Sequence, residues 1–527
     1  HFGSRSFSSF PTPPLCRRAP SHMAPFAKQA AQEERPSADP EAALAPGSDL
    51  GCSCIGVRAA PPRGGWRWCV AGGSILLVAG LVCLSLAAAG GSYESAPAAN
   101  TRPSRPPTTP STTAATPVTT QSTMSGDPNQ QWPEQVMTCP GIAATTTQSM
   151  TCADYDAAVA SVQALYDSLP NTCSAAACPQ ADWAGCVLRM AGHDLMDFKD
   201  NQGGADGCID LHDPDNKGLA ECLHTGEHGV SILTAYHAHC TQISLADFLV
   251  IAAEAVMLSS RKHVTDADNA RRDIDFRSSF RYGRSTAATC PWSQGRLPNP
   301  ERSCTAVEET FVDNMGLSWS ESAALMGVHT LGRARIENSG YDGFWSDAEN
   351  SRRFNNNYFA SIVGKGWTSQ TAVDGNPNKN QWVRSDQARN GPLEMMLNTD
   401  LCLAYTEDNN GRQELNAQTS GCCAWSAATP DVQAAVRGHL DGLYCGGNNI
   451  PRGRGDQRAA CCSGQRNRAI DCGSADDLAG PAAQDVLTFA RDEGSWLDRF
   501  EQAWKKATEN GYTTENGESI LHSLQCS

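Results

Sequence analysis

Positive charge is scarce in this sequence. Lys and Arg number 41 against 57 Asp and Glu, giving a net charge of −16 over 527 residues. That balance excludes nonspecific nucleic-acid binding, which needs a basic surface to displace counterions, so no nucleic-acid partner is expected. No long internal repeat is visible, and strand-like alternation is rare, which argues against a sheet-built domain. Apolar residues still make up 40% of the chain, enough for a real core, so disorder cannot cover all of it.

Cysteine is abundant. The chain has 23, and a chain kept reduced in the cytosol rarely carries so many, so they point to an oxidising compartment. Eighteen fall between Cys139 and Cys526, an even number whose pairing spacing alone does not reveal. Residues 1–68 read as a cytosolic low-complexity segment rich in Ala, Pro, Gly and Arg. From Cys69 to Gly91 there is no charge, and at 1.5 Å per residue this run spans a ~30 Å hydrocarbon core. Arg58, Arg63 and Arg67 precede it, and Glu94 is the first charge beyond it. The expectation is a transmembrane signal anchor at 69–91 with the rest of the chain lumenal or extracellular. The alternatives are a signal cleaved after Ala87-Ala88-Ala89, giving a secreted protein, and an organelle-targeting presequence. Residues 92–130 are rich in Ser, Thr and Pro and read as a stalk.

A mainly α domain is expected over 134–520. Apolar residues recur at helical spacing in Tyr155–Leu169, Leu245–Leu258, Glu321–Leu331 and Val486–Ala507. Residues 404–484 carry Cys422, Cys423, Cys445, Cys461, Cys462 and Cys472 among glycines and polar residues, and read as a Cys-rich, disulfide-stapled insertion.

Two histidines carry candidate chemistry. Arg189 and His193 stand at i and i+4 in V-L-R-M-A-G-H-D, so on a helix they share one face. A fixed cation beside a neutral imidazole can move a proton and stabilise a developing anion together. His329 follows the apolar run A-A-L-M-G-V, and M-M-L-N-T-D ends downstream at Asp400. A carboxylate that accepts the Nδ1 proton of a metal-bound imidazole makes that ligand more basic.

Together these segments resemble the plant-type haem peroxidase superfamily. They are most similar to its intracellular group of cytochrome c and ascorbate peroxidases, with some features of the secreted enzymes. R-x-x-x-H-D is matched by Arg189, His193 and Asp194, and D-P-x-N-x-G-L by Asp213 to Leu219. G-R-L-P is matched by Gly295 to Pro298, and A-L-M-G-x-H by Ala324 to His329. N-S-G-Y-x-G-x-W is matched by Asn338 to Trp345, and M-M-L-x-T-D by Met395 to Asp400. The resemblance implies a two-lobed fold with haem b between distal and proximal helices. The implied activity is reduction of hydrogen peroxide through a ferryl intermediate at the expense of an electron donor.

Roles follow residue by residue from that resemblance. His193 would be the distal acid–base and Arg189 the stabiliser of charge as the O–O bond breaks. Asn216 would hold the distal imidazole, with His224 as a competitor for that role. His329 would be the axial iron ligand, Asp400 its Nδ1 partner, and Trp345 the proximal ring able to hold a radical. Pro298 would line the haem-edge channel, and Thr330, grouped with the cofactor-binding residues, matches a position of a proximal ion site in which Asn355 stands in place of an aspartate. Asp194, Gly204 and Asp206 resemble a distal calcium loop, with Cys208 in place of its usual serine.

Departures narrow the donor. Gly192 stands where the family carries a ring over the haem, which opens the distal pocket. Asn338 replaces an arginine that contacts ascorbate, and Arg335 and Cys186 replace acidic manganese ligands. That leaves small phenols, thiols or a protein as donor. A zinc-binding hydrolase built on His224, His228, His237, His239 and Cys240 competes, although H-T-G-E-H is not the H-E-x-x-H order. An inert peroxidase-like scaffold for adhesion or interaction is the non-enzyme alternative.

Overall fold

The computed structural model describes residues 139–526, apart from 175, 224–228, 265–271, 291–294, 385–392, 407–414, 420–422, 425–428, 438, 440–470, 473–477 and 515. The expected cytosolic segment, anchor and stalk at 1–130 lie outside the described residues. Among the described residues no helix is long and apolar enough to cross a membrane.

Eight α-helices of seven residues or more carry the architecture among the described residues. They are α1 Cys152–Ser168, α2 Pro179–Met196, α3 Leu245–Arg261, α4 Trp319–Met326, α5 Asn357–Gly364, α6 Pro430–Val436, α7 Ala483–Arg491 and α8 Glu493–Glu509. Local signals start several of them. Thr151 and Asp154 form a capping box on α1, Ser318 and Glu321 form one on α4, and Ser244 caps α3. Helix α3 is buried on nearly every face because α1 and α2 both pack against it. A second group forms where α4 packs on α8, and α5 packs on α6 and α7. Glu254 of α3 joins the two groups by accepting from Tyr155 of α1 (2.7 Å) and Trp504 of α8 (2.9 Å).

Two expected helices end early. Val486–Ala507 is broken at Asp492, whose backbone is extended and whose carboxylate accepts from Gly494 N–H at 3.0 Å to start α8. Glu321–Leu331 leaves the α conformation at Met326 and finishes as a 3₁₀ turn, Gly327–Thr330.

Strands are short. Arg281–Tyr282 (β1) pairs with His522–Ser523 (β7). A five-stranded sheet has the order β4-β3-β2-β5-β6, built from Trp367–Gln370 (β2), Gln381–Arg384 (β3), Met395–Met396 (β4), Cys423–Ala424 (β5) and Asp471–Cys472 (β6). It is antiparallel except between β5 and β6. The Cys-rich insertion is therefore partly woven into the domain: it supplies two strands and α6. Its cysteine pairing lies outside the described residues.

Six disulfides are described: Cys139–Cys240, Cys152–Cys526, Cys173–Cys178, Cys186–Cys222, Cys208–Cys290 and Cys304–Cys402. The folded region runs past residue 520, because β7 and the Cys152–Cys526 link hold the tail on β1 and α1.

Candidate functional site

Helix α2 places Arg189 and His193 on one face, and both line a cavity of about 320 Å³. The loop after α2 fixes their hydrogen bonding. Asp213 caps the turn Pro214–Asn216 by accepting from Asp215 N–H at 2.9 Å, which presents Asn216 to the helix. Asn216 Nδ2 donates to Asp210 O at 2.9 Å, so its Oδ1 faces His193. An amide oxygen only accepts, so His193 Nδ1 carries the proton and donates across 2.7 Å. Nε2 keeps its lone pair and receives Arg189 Nε–H at 3.3 Å. Burial, and then the Arg189 charge, lower the His193 pKa to about 3, so the ring is neutral at physiological pH. Burial lowers Arg189 to about 10, which leaves it a cation. Its terminal nitrogens donate to Asp215 O (2.6 Å) and Lys217 O (2.8 Å), so the guanidinium is tied to the same loop.

His329 lines the same cavity. A Cβ on Gly327 would lie 2.6 Å from Trp496 Nε1 and 2.9 Å from the Phe359 ring, so only glycine lets the turn pass this close to α5 and α8. The turn brings His329 Nδ1 to within 2.8 Å of Asp400 Oδ1. Asp400 is fully buried and accepts three more hydrogen bonds: Tyr358 O–H at 2.9 Å, Trp345 Nε1–H at 2.8 Å and Leu397 N–H at 2.7 Å. The carboxylate therefore takes the Nδ1 proton of His329, so the neutral form of the ring carries its lone pair on Nε2. Among the described residues no hydrogen bond engages that nitrogen. Trp345 stacks on the imidazole at 4.4 Å between centroids and 22° between planes. Tyr358 meets it edge-on at 6.0 Å. Burial, then the Asp400 charge, hold the Tyr358 hydroxyl well above its usual pKa.

Two imidazoles, His193 with its Nε2 free of a proton and His329 with its Nδ1 tied to Asp400, thus line one cavity. The family model described as peroxidase matches residues 160–413. Those residues belong to the plant-type haem peroxidases. L-ascorbate peroxidase 5, peroxisomal, of Arabidopsis thaliana is 30% identical over 186 residues, 34% of this chain and 58% of that protein. Cytochrome c peroxidase, mitochondrial, of Candida albicans is 30% identical over 191 residues, 35% of this chain and 46% of that protein. The chain spans about half the length of these two curated relatives.

The other expected site residues of this peroxidase domain divide. Pro298 lines the cavity, as Asn338 and Arg335 do. Thr330 does not. It is fully buried, and its hydroxyl donates to Asn355 Oδ1 at 3.0 Å, because neighbours on a 3₁₀ turn point about 120° apart. Asn216, not His224, is the partner of His193 in the described structure; His224 and His228 lie outside the described residues. The zinc alternative loses two ligands. Cys240 is in a disulfide with Cys139, and His239 Nε2 is 2.9 Å from Ser161 Oγ.

On the far side of α2, Asp194 is buried and accepts from Gly207 N–H at 2.9 Å with one oxygen, while its Oδ1 has no partner. Asp206 accepts from Cys208 N–H at 2.9 Å. The Gly204 carbonyl, expected as a cation ligand, already accepts from Asp206 N–H at 2.6 Å. Burial first, then neighbouring carboxylates, push Asp194 well above its usual pKa, and burial raises Asp206 to about 6. Among the described residues no three His, Cys, Asp or Glu side chains converge on a metal position.

Sequence reasoning missed Tyr358, Lys379 and Asp197. Lys379 lines the cavity and lies 4.8 Å over the Tyr341 ring. Asp197 accepts from Gly204 N–H at 2.7 Å beside the acidic pair. The approach of a side chain on residue 358 to residue 400 has no signature in spacing.

Proposed function

We propose that the protein is a haem-dependent peroxidase that reduces hydrogen peroxide to water while oxidising a small phenolic, thiol or protein electron donor. The observation that carries this reading is the pair of imidazoles lining one cavity, His193 oriented by Asn216 and His329 by Asp400. Haem b fits the residues present: His329, its Nδ1 held by Asp400, offers Nε2 to a metal when the ring is neutral, and most of the walls are apolar side chains such as Leu188, Leu325 and Val328. When bound, the haem supplies the redox chemistry that breaks the O–O bond.

The chain's own residues handle protons and charge. His193 Nε2 takes the proton from one peroxide oxygen and delivers it to the other, which departs as water. Asn216 keeps the ring in the tautomer that can do this. Arg189 supplies a cation where negative charge grows. Asp400, by accepting Nδ1–H, makes His329 Nε2 a stronger donor to a metal. Trp345 shares the same carboxylate, which would stabilise an oxidised indole, so it is the ring through which an electron would reach the site. The atoms balance as H₂O₂ + 2 H⁺ + 2 e⁻ → 2 H₂O, with both electrons from the donor.

Two finer points belong to the proposal. A calcium ion would bind Asp194 and Asp206, with carbonyls completing an oxygen shell; the orphaned Asp194 Oδ1 supports this. The uncharged run at 69–91 supports a membrane anchor with the peroxidase domain lumenal or extracellular, and the six described disulfides suit that compartment.

The test is an absorbance spectrum of the purified full chain with hemin. A Soret band that shifts on adding hydrogen peroxide, with turnover on a panel of phenols, thiols and protein donors, is expected. A chain that takes up no haem and turns over no donor would be a scaffold and would end this reading.

A further inference from the structure

Asp400 carries a tryptophan and a tyrosine as well as His329, with Trp345 Nε1–H on one oxygen and Tyr358 O–H on the other. The same pairing occurs a second time in the molecule. Glu254 of α3 accepts from Trp504 Nε1–H at 2.9 Å with one oxygen and from Tyr155 O–H at 2.7 Å with the other. Both tryptophans line the cavity. Tyr155, Glu254 and Trp504 are each at most 3% exposed, so the trio is closed to water. A carboxylate among core side chains loses its hydration, whereas apolar side chains hold helices together at no such cost. Joining the two helix groups therefore does not account for it. What the trio has that apolar packing lacks is two oxidisable rings on one proton acceptor. The neighbouring rings are of another kind: Trp504 stacks on Phe500 at 5.9 Å and 18°, and Tyr155 meets Phe280 at 5.1 Å. Phenylalanine is much harder to oxidise, so these rings insulate the pair.

We infer that Trp504 and Tyr155 form a second electron relay of the peroxidase, in which Tyr155 gives up one electron through Trp504 while its phenolic proton passes to Glu254. The inference rests on the peroxidase reading and adds an internal electron source to it. Each peroxide reduced takes two electrons, and one of them comes from Tyr155. The step balances as Tyr–OH + Glu–COO⁻ → Tyr–O• + Glu–COOH + e⁻. The electron fills the hole left on the Trp504 indole when the peroxide-oxidised site draws from it. An electron from the external donor and the proton held on Glu254 then restore the phenol. Geometry serves both halves of the step. The phenol already donates to its acceptor, so the proton moves along an existing hydrogen bond as the electron leaves. The carboxylate on Nε1–H stabilises the positive charge of an oxidised indole. Burial raises the Glu254 carboxyl to about 7, so it holds the proton more firmly than an exposed glutamate would.

The experiment adds one equivalent of hydrogen peroxide to the haem-loaded full chain, freezes it rapidly and records the electron paramagnetic resonance, with the Soret band followed in parallel. A tyrosyl signal is expected. The chain has 10 tyrosines, so 3,5-difluorotyrosine placed at position 155 alone identifies the ring by adding fluorine splitting to that signal. Tyr155→Phe should remove the signal, and Trp504→Phe, which keeps the phenol on Glu254 but breaks the relay, should remove most of it. An unsplit signal in the fluorinated chain, full yield in either variant, or no tyrosyl signal from a wild type whose Soret band shifts overturns the inference and leaves the peroxidase reading standing. If a variant holds no haem, the fluorinated chain decides, since it keeps the ring, the hydroxyl and the hydrogen bond: splitting supports the inference and its absence overturns it. A wild-type Soret band that ignores hydrogen peroxide ends the peroxidase reading, and the inference with it.

Discussion

Asp400→Asn keeps the shape of the side chain, removes its charge and turns one acceptor into a donor. In the wild type, four buried donors converge on the two oxygens: His329 Nδ1 and Tyr358 on one, Trp345 Nε1 and Leu397 N on the other. An amide can satisfy only one side. If its oxygen faces His329, the Trp345 and Leu397 N–H groups confront an NH₂. Two buried donors left unpaired at ~1–3 kcal/mol each cost ~2–6 kcal/mol, a large share of a stability of ~5–15 kcal/mol. If the amide flips, the NH₂ faces His329, whose proton moves to Nε2. The lone pair that would grip iron is then gone, and haem affinity falls by roughly 10–100-fold or more. Urea unfolding of the haem-free chain and a hemin titration read these two outcomes separately. Trp345→Phe, which removes a single donor, should cost only about 1 kcal/mol. Asp400→Asn with stability within ~0.5 kcal/mol of wild type and undiminished haem binding would refute the four-donor account of this carboxylate.

Further expectations concern both histidines of the cavity and the sites around it. His329→Ala should lose haem, whereas His193→Leu should keep it and slow the reaction with peroxide by orders of magnitude; stopped-flow absorbance checks both. Because burial and Arg189 hold His193 near 3, the wild-type rate should stay flat on acidification until about pH 4 and then fall. In Arg189→Leu that limb should move to higher pH, since the cation that opposes ring protonation is gone. Burial raises Glu254 to about 7, so the folded state holds a proton that the unfolded chain releases near 4.5. Stability should therefore decline as pH rises from about 4.5 to 7, by up to about 3 kcal/mol more in the wild type than in Glu254→Gln, measured by urea unfolding. Calcium should raise Tm where equal magnesium does not, and Asp206→Asn should abolish that rise.

The sequence by itself determined which residues could do chemistry. Arg189 and His193 at i and i+4, and the order of six short motifs, mark residues that line the cavity, because helix periodicity fixes which side chains share a face. It also located α1 and α3, whose apolar spacing and caps agree. The tertiary structure alone decided how these residues meet. That Asn216 reaches His193, and that Tyr358 joins His329 and Trp345 on Asp400, depends on contacts between residues 23 to 71 positions apart. No local pattern encodes such approaches. The same holds for Thr330, which motif position placed at the cofactor but the 3₁₀ turn directs to Asn355. It holds for Asp492, whose extended backbone divides what periodicity alone joins. Local propensity chooses the elements; long-range packing chooses which of their polar groups become partners.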